Sequence, residues 1–279
     1  MFTEKEFENW GELKSFLSSL NSNWVYRGQS DYSWKLESSI DRTYLEVDMD
    51  NKKQLFEKFC IHDFKRNPHL YSNKYSIHSD FQTLSLLQHY GSPTRLLDFS
   101  RSQYVAAYFA TVNSNEDSSI YAINYFELLS STMHLFRLNY DDESFEIVKL
   151  RNGGSISEDD SFKNIVLNTN QRKFVELVQP YFKFDRMIKQ SGLFLCQGDI
   201  NVDFETNLNA NYQILQNIEG NNPYFKLKIN KEWKKEIIRD LERMNISSSS
   251  LFPGIEGHLQ SQKNKFQISI EDRGDSIIQ

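Results

Sequence analysis

Apolar residues recur at helical spacing in several stretches of the chain. Residues 4–20 carry a broad apolar face, which predicts an amphipathic helix, and residues 81–88 and 103–112 predict two buried helices. Residues 52–66 predict a fourth helix, because apolar side chains recur there as a stripe: Leu55, Phe56, Phe59, Cys60 and Phe64.

Other stretches alternate apolar and polar residues, or are short and apolar, as strands are. Residues 24–28, 95–99, 119–125 and 225–229 predict strands, and residues 32–36 are compatible with one more. Because strands and helices do not alternate regularly, the pattern favours an α+β fold with a mixed sheet core and flanking helices.

Capping and turn residues place the helix ends. Asp80 and Ser100 stand where they can cap the helices that follow them, and Asn230 can cap a later helix that carries apolar residues from Trp233 onward. Gly91 and Pro93 end the helix over residues 81–88, because Gly tolerates a left-handed backbone and Pro lacks an N–H.

The chain is predicted to hold one domain over residues 1–258, followed by a polar tail over residues 259–279. Residues 127–173 mix short apolar groups with acidic runs and two adjacent glycines, so irregular structure is expected there, as a variable insertion or lid.

Composition narrows the classes of function. The net charge of −6 argues against a nonspecific nucleic-acid surface, and no run of residues reaches the length of a transmembrane helix. The two cysteines, Cys60 and Cys196, are predicted to be buried free thiols, and no zinc-binding spacing occurs. With no signal-peptide pattern, the prediction is a soluble cytoplasmic protein without a metal and without a membrane partner.

Polar side chains that can do chemistry concentrate between two predicted buried helices. A helix, a tight turn, a short strand and a second helix converge there and would hold these groups rigidly. The groups within thirteen residues are Gln88, His89, Tyr90, Thr94, Arg95, Asp98 and Ser100.

Each of these positions has a catalytic or binding interpretation and a structural one. His89 and Asp98 can act as base and orienting carboxylate, or His89 can belong to a hydrogen-bond network that fixes the turn, which we favour. Arg95 can bind an anion or form a buried ion pair with Asp98. Arg27, between Tyr26 and Gly28, can hold a phosphate or pair with an interior carboxylate.

Two later positions are open in the same way. Gln190, near Gly192, can recognise a carboxamide or a base edge, or it can satisfy backbone groups at a sheet edge. Glu256 follows a short apolar turn and can be a catalytic carboxylate or a capping residue.

Four blocks in order resemble the FRG domain family, which is named for an aromatic-Arg-Gly motif. That motif is Tyr26-Arg27-Gly28, and the second block is Gln88-His-Tyr-Gly-Ser-Pro-Thr-Arg-Leu-Leu-Asp98. The third and fourth blocks are residues 186–194 and 251–257. Since FRG proteins occur in bacterial anti-phage defence gene sets, the resemblance implies a role in such a system, with protein partners there.

A weaker resemblance is to ADP-ribosyltransferases. Arg27 is similar to the NAD-holding Arg on their first strand, and Ser100 precedes a similar helix, while their acidic motif has only Gln190 and Glu256 as counterparts. The resemblance implies a nucleotide-binding, enzyme-like domain that cleaves NAD or transfers ADP-ribose, with NAD as substrate rather than as a resident cofactor. The alternative is a non-catalytic module that senses a nucleotide or binds a protein.

Overall fold

The structure, a computed structural model, describes residues 1–45, 52–72, 74–139, 157–167, 172–180, 183–216, 222–264 and 266. In this part of the chain, seven strands form one mixed sheet with helices packed against both faces. The α+β class predicted from the sequence is therefore confirmed.

The strands lie in the order β1-β7-β4-β2-β3-β6-β5. Their bounds are β1 (Thr3–Lys5), β2 (Trp24–Gln29), β3 (Leu96–Ser100), β4 (Ser118–Asn124), β5 (Val175–Val178), β6 (Gly192–Gln197) and β7 (Tyr224–Ile229). β1 pairs with β7 in parallel, and every other neighbouring pair is antiparallel.

The helices are mostly short. Those before β4 are α1 (Trp10–Ser19), α2 (Ser39–Leu45), α3 (Lys53–Arg66), α4 (Asp80–His89) and α5 (Gln103–Thr111). Those after it are α6 (Tyr125–Asn139), α7 (Glu158–Phe162), α8 (Asp185–Lys189), α9 (Phe204–Gln216), α10 (Lys234–Arg243) and α11 (Ser248–Leu251). Residues 255–264 are also helical.

Strand β2 shows how alternation distributes the core. Trp24 and Tyr26 enter the cluster under α1, α5 and α10, while Val25 enters the cluster on the opposite face with Phe204 and Leu208. Arg27 follows Tyr26, so its Cα–Cβ bond points to the same face as that of Val25, as the alternation predicts.

Gly28 lets α5 approach β2 closely. A Cβ atom at this position would lie 1.9 Å from the carbonyl oxygen of Ala106 and 2.5 Å from the backbone nitrogen of Ala110. The glycine is therefore required for the helix to pack on the strand, whether or not the neighbouring Arg27 binds a ligand.

The first helix begins later than the sequence predicts. Its N-cap is Asn9, whose side chain accepts a hydrogen bond from the backbone N–H of Glu12, and Thr3–Lys5 instead pairs with β7. The additional strand at residues 32–36 is wrong, because the Asp31 side chain holds the backbone N–H of Ser33 in a turn.

The bounds of α3 are close to the prediction, but two of the five residues in its predicted apolar stripe do not face the interior, and the other three are only half-buried. Leu55 and Phe59 are 66% and 63% exposed, whereas Glu57 and Ile61 are buried. The helix is rotated so that the Glu57 carboxylate, rather than an aromatic ring, reaches the interior.

Two of the three predicted caps are displaced. Ser79 caps α4 in place of Asp80, and Ser102 caps α5 in place of Ser100. Asn230 does cap the helical turn that leads into α10, by accepting from the backbone N–H of Glu232, as predicted. Gly91 has a φ of +82°, in agreement with its role in ending α4.

Parts of residues 127–173 are regular and buried, where irregular structure was expected. Leu128 and Phe136 of α6, Phe162 of α7 and the following Ile165 are core residues. Residues 140–156 and 168–171 lie outside the described residues, as do residues 267–279 of the predicted polar tail, whose start, residues 259–264, is helical.

Candidate functional site

The sheet opens between β2 and β3. These strands pair at a single position, Tyr26 with Ser100, whereas β2 pairs along its whole length with β4 and β3 along its whole length with β6. Beyond that pair the ladder does not continue to Arg27 and Phe99. The sheet therefore has two parts that separate at its centre.

A cavity of about 520 Å³ lies at this separation. Six residues predicted from the sequence line it: Tyr26, Arg27, Gly28, Asp98, Ser100 and Gln190. The segment after β2 adds four aromatic or charged lining residues, and two more come from elsewhere: Trp34, Lys35, Glu37 and Arg42, and Phe109 and Arg186.

Arg27 bridges the gap between the two strands. Its Nη1 donates a hydrogen bond to the backbone carbonyl of Asp98 at 2.8 Å, where a continuous ladder would have placed backbone groups. Its Nε–H is buried and has no partner among the described residues. Burial lowers the pKa of the Arg27 guanidinium, and the nearby Asp98 opposes that shift. Because an arginine side chain is not deprotonated in proteins, the group is a cation with an unused donor.

A chain of hydrogen bonds orients the Asp98 carboxylate. The Gln88 amide donates from Nε2 to Asp98 Oδ2 at 2.6 Å, and Gln88 Oε1 accepts from Thr94 Oγ1 at 2.6 Å. The Thr94 hydroxyl thus sets the orientation of the Gln88 amide, and Gln88 acts on the site through Asp98.

Ser100 and Gln190 connect the floor of the cavity to the segments that flank it. The Ser100 hydroxyl donates to the Gln190 carbonyl at 2.7 Å and accepts from the backbone N–H of Ser102 at 2.9 Å. The Gln190 side chain donates to the carbonyl of Leu251 at 3.3 Å. The amide of Gln190 is therefore held at the wall by backbone groups, the structural alternative raised from the sequence.

Arg95 lies apart from this cavity. It is 0% exposed and binds the Glu57 carboxylate with two hydrogen bonds, of 2.7 Å from Nε and 2.5 Å from Nη2. Its Nη1 also donates to the carbonyl of Gly198 at 3.1 Å. The expected pairing of Arg95 with Asp98 is wrong, and the buried partner is Glu57, on a helix whose predicted face did not include it.

His89 does not line the first cavity but lines two other cavities next to it. Its ring stacks on Phe184 with centroids 5.4 Å apart. Burial lowers the pKa of His89, and the cations of Arg186 and Lys74 lower it further. The imidazole is therefore neutral at pH 7 and can accept or donate a proton.

Glu256 is exposed at the start of the helix over residues 255–264 and lies outside the walls of the cavities near β3. Asp98 and Glu37 are the carboxylates on the wall of the first cavity.

Within the described ranges, no group of three or more His, Cys, Asp or Glu residues has a metal-binding arrangement. None of the helices described there has the length and hydropathy to cross a bilayer. Cys60 and Cys196 are free thiols, the first half-buried and the second buried.

Residues 22–119 match the family model of the FRG domain. The chain carries an FRG domain. The matched residues of this FRG domain include both the Tyr26-Arg27-Gly28 block and the block from Gln88 to Asp98, and they supply every lining residue of the first cavity except Arg186 and Gln190. No curated protein and no solved structure matches the chain.

Several lining residues of the FRG domain were not predicted. Trp34 lies in residues 32–36, which were expected to form a strand, and Glu37 directly follows them. Arg42 folds back to donate a hydrogen bond to the Glu37 carbonyl at 2.6 Å. Trp34 is 53% exposed among charged residues, and large exposed rings are frequent at binding sites. The sequence pattern alone did not show that this ring is exposed.

Proposed function

We propose that the cavity between β2 and β3 binds a nucleotide with a pyrophosphate group, and that its substrate is NAD. The observation that carries the proposal is Arg27, whose buried Nε–H has no partner and whose guanidinium spans the opening in the sheet. A buried donor without a partner is costly, and a phosphate oxygen satisfies it with a charge-assisted hydrogen bond.

The rest of the wall supports this ligand class. Arg42, Arg186 and Lys35 add positive charge around Arg27, which favours a ligand with two phosphates. Trp34 and Phe109 add rings against which a base or a nicotinamide can pack.

We propose that Asp98 supplies the chemistry. When the bond between nicotinamide nitrogen and ribose carbon breaks, its electron pair leaves with the nicotinamide, and the ribosyl carbon becomes cationic. The Asp98 carboxylate, oriented by Gln88, stabilises that cation until water or another acceptor attacks the carbon and releases its proton to solvent. Asp98 lies on the wall of the proposed cavity, whereas Glu256 does not.

The test is to incubate the purified protein with NAD and to quantify released nicotinamide. Asp98→Asn keeps the size of the side chain and removes its charge, so release is expected to fall by about a hundredfold or more, as on loss of other electrostatic stabilisers. Asp63→Asn, at an exposed position on α3, is the matched control and should leave the rate unchanged. Absence of nicotinamide release from the unsubstituted protein would refute the catalytic part.

The second candidate function is a non-catalytic module that senses a nucleotide. It is favoured by the hydrogen bonds that already occupy Asp98, since its carboxylate accepts from Gln88 and its carbonyl accepts from Arg27. NAD binding by calorimetry without any nicotinamide release would support this alternative.

The biological setting is also a proposal. The FRG family resemblance suggests action inside bacterial cells in anti-phage defence, where nucleotide cleavage or sensing would limit infection. Expression of the protein and of Asp98→Asn in a phage-sensitive host tests it, and equal plaque numbers with both proteins and with empty vector would contradict the proposal.

A further inference from the structure

Three described cavities adjoin one another along one cleft. The first, of about 520 Å³, shares Asp98, Gln190 and Arg186 with a narrow cavity of about 70 Å³. That narrow cavity shares His89, Phe184 and Arg186 with a further cavity of about 380 Å³. Arg186 thus lines all three, and the proposed nucleotide cavity has a neighbour of comparable size.

Cations and rings dominate the wall of this second cavity. Lys74, Lys183 and Arg186 bring three positive charges against one carboxylate, that of Asp185. The side chains of Lys74 and Lys183 are exposed, so their ammonium groups can move towards an anion.

The rings of the second cavity form one connected group. His89 stacks on Phe184 at 5.4 Å between centroids, and Tyr75 meets Phe184 edge-on at 5.2 Å. The Lys74 ammonium lies 5.1 Å from the centroid of the Tyr75 ring. Rings beside Lys and Arg are the composition that binds a base by its π-face and its phosphate by charge.

The electrostatics of His89 agree with this composition. Besides burial, the positive charges of Arg186 and Lys74 lower the pKa of the imidazole. Arg186 and Lys74 thus act on His89 as positive charges, which the nearby Asp98 opposes. A phosphate bound in the second cavity would counter the effect of these two cations on the pKa of His89.

We propose that the second cavity binds a phosphate-bearing nucleobase, so that the cleft accepts two nucleotide units in all. The inference rests on the proposed function of the first cavity. Two ligands would place the same chemical group in the second cavity. One is a single dinucleotide that spans the cleft with its far half in the second cavity. The other is a separate mononucleotide beside a dinucleotide in the first cavity.

Calorimetric titrations of the whole chain distinguish these sources. NADH serves as the dinucleotide, because its uncharged dihydronicotinamide is a poor leaving group and the ligand stays intact, and AMP serves as the mononucleotide. The variants are Lys74→Ala combined with Lys183→Ala for the second cavity, and Arg42→Ala for the first. Lys189→Ala, exposed on α8 and outside the walls of the three cavities, is the matched control.

The double lysine variant is expected to weaken binding of the second unit by about tenfold, since it removes two charge-assisted contacts. A loss of NADH affinity shows that one dinucleotide spans the cleft. Unchanged NADH affinity with a loss of AMP affinity in NADH-saturated protein shows a separate unit. In either case, the pKa of His89, followed by NMR, should rise when the second cavity is filled.

Other outcomes overturn the inference. If Arg42→Ala weakens NADH binding while the double lysine variant changes neither NADH nor AMP affinity, the second-cavity proposal fails and the first-cavity proposal survives. If the unsubstituted protein binds neither ligand, both fail. Thermal melts verify that each variant is folded, and Lys183→Ala alone replaces the double variant should the latter unfold.

Discussion

Two arginines of the FRG domain are used in different ways. Arg27 lies at an opening in the sheet, donates one hydrogen bond to the Asp98 carbonyl and retains an unpartnered Nε–H. Arg95 is 0% exposed and uses its guanidinium on the Glu57 carboxylate and on backbone carbonyls. The first is suited to a ligand and the second to stability.

For Arg27, we predict that substitution by Lys leaves the fold intact and weakens NAD binding by about 1.5–3 kcal/mol, the range for hydrogen bonds to charged groups. The physical reason is that an ammonium cannot present a planar fork of donors. Calorimetric titration together with a thermal melt measures both effects. Arg66→Lys, exposed at the end of α3, is the control. A variant that melts early but binds NAD normally would contradict the ligand role.

For the buried pair, we predict that Glu57→Gln destabilises the protein by about 3–5 kcal/mol, because it leaves the Arg95 cation buried without its counter-charge. Urea unfolding measures the change, and Asp63→Asn on the exposed side of the same helix should cost well under about 1 kcal/mol. A loss for Glu57→Gln as small as that of the control would show that the pair does not stabilise the fold.

The roles of these residues could be predicted only where local sequence decides them. Tyr26, Arg27 and Asp98 were predicted to lie on short strands, and the structure places them within β2 and β3 on the wall of one cavity. The partner of Arg95 could not be predicted, since Glu57 lies on another helix and its burial depends on the rotation of that helix against the sheet.

At the scale of elements, the site depends on how closely α5 packs on β2. Gly28 faces Ala106 and Ala110, and the small side chains of the helix bring its backbone against the strand. Phe109 of this helix, which was predicted to be buried, is half-buried and lies on the cavity wall. The same helix therefore supports β2 and supplies part of the site.

We predict that Gly28→Ala destabilises the protein by about 3 kcal/mol or more, at or above the upper end for overpacking, because its methyl group would overlap the Ala106 carbonyl. Gly192→Ala is the matched control. Its Cβ would lie 3.1 Å from the Met187 side chain and 3.3 Å from the Met187 carbonyl oxygen, which is less close than the contacts at Gly28, so a smaller loss is expected. Chemical unfolding compares the two, and equal losses would argue against tight packing at Gly28.

The hydrophobic pattern of the sequence did not predict elements that bury polar residues. Helix α9 buries Asn207 and Asn211 alongside its apolar residues, and this interrupts the hydrophobic period on which prediction depends. The Asn211 amide donates to Ser131 and Thr132 and its carbonyl accepts from the Val175 backbone, so its burial is satisfied by distant residues. Because these partners are far from Asn211 in the sequence, the residues around Asn211 do not reveal that it is buried.

At the scale of the molecule, the sheet consists of two parts joined at the Tyr26–Ser100 pair. One part holds β1, β7, β4 and β2, and the other holds β3, β6 and β5. The α+β class followed from strands and helices that do not alternate regularly. The opening between β2 and β3 could not be predicted in this way. It depends on the register of strands whose neighbours lie far apart in the sequence.

We predict that the two thiols differ in reactivity. Burial raises the pKa of both thiols, but Cys196 is 0% exposed on β6 whereas Cys60 is only half-buried on α3. A thiol reagent should modify Cys60 in the native protein and Cys196 only when the sheet opens. Mass spectrometry of the labelled peptides checks the order, with Cys60→Ser as control. Equal labelling rates would contradict the burial of Cys196.

The parallel pairing of β1 with β7 bears on the order of events during synthesis. Thr3 pairs with Phe225, so the first strand leaves the ribosome long before its partner exists. Strand β4 must likewise wait for β7 to cover one of its edges. Contacts between residues so distant in the chain close slowly, and an unpaired strand edge is prone to aggregation meanwhile. The edges of β1 and β4 that β7 covers in the folded protein therefore stay unpaired until residue 229 has emerged.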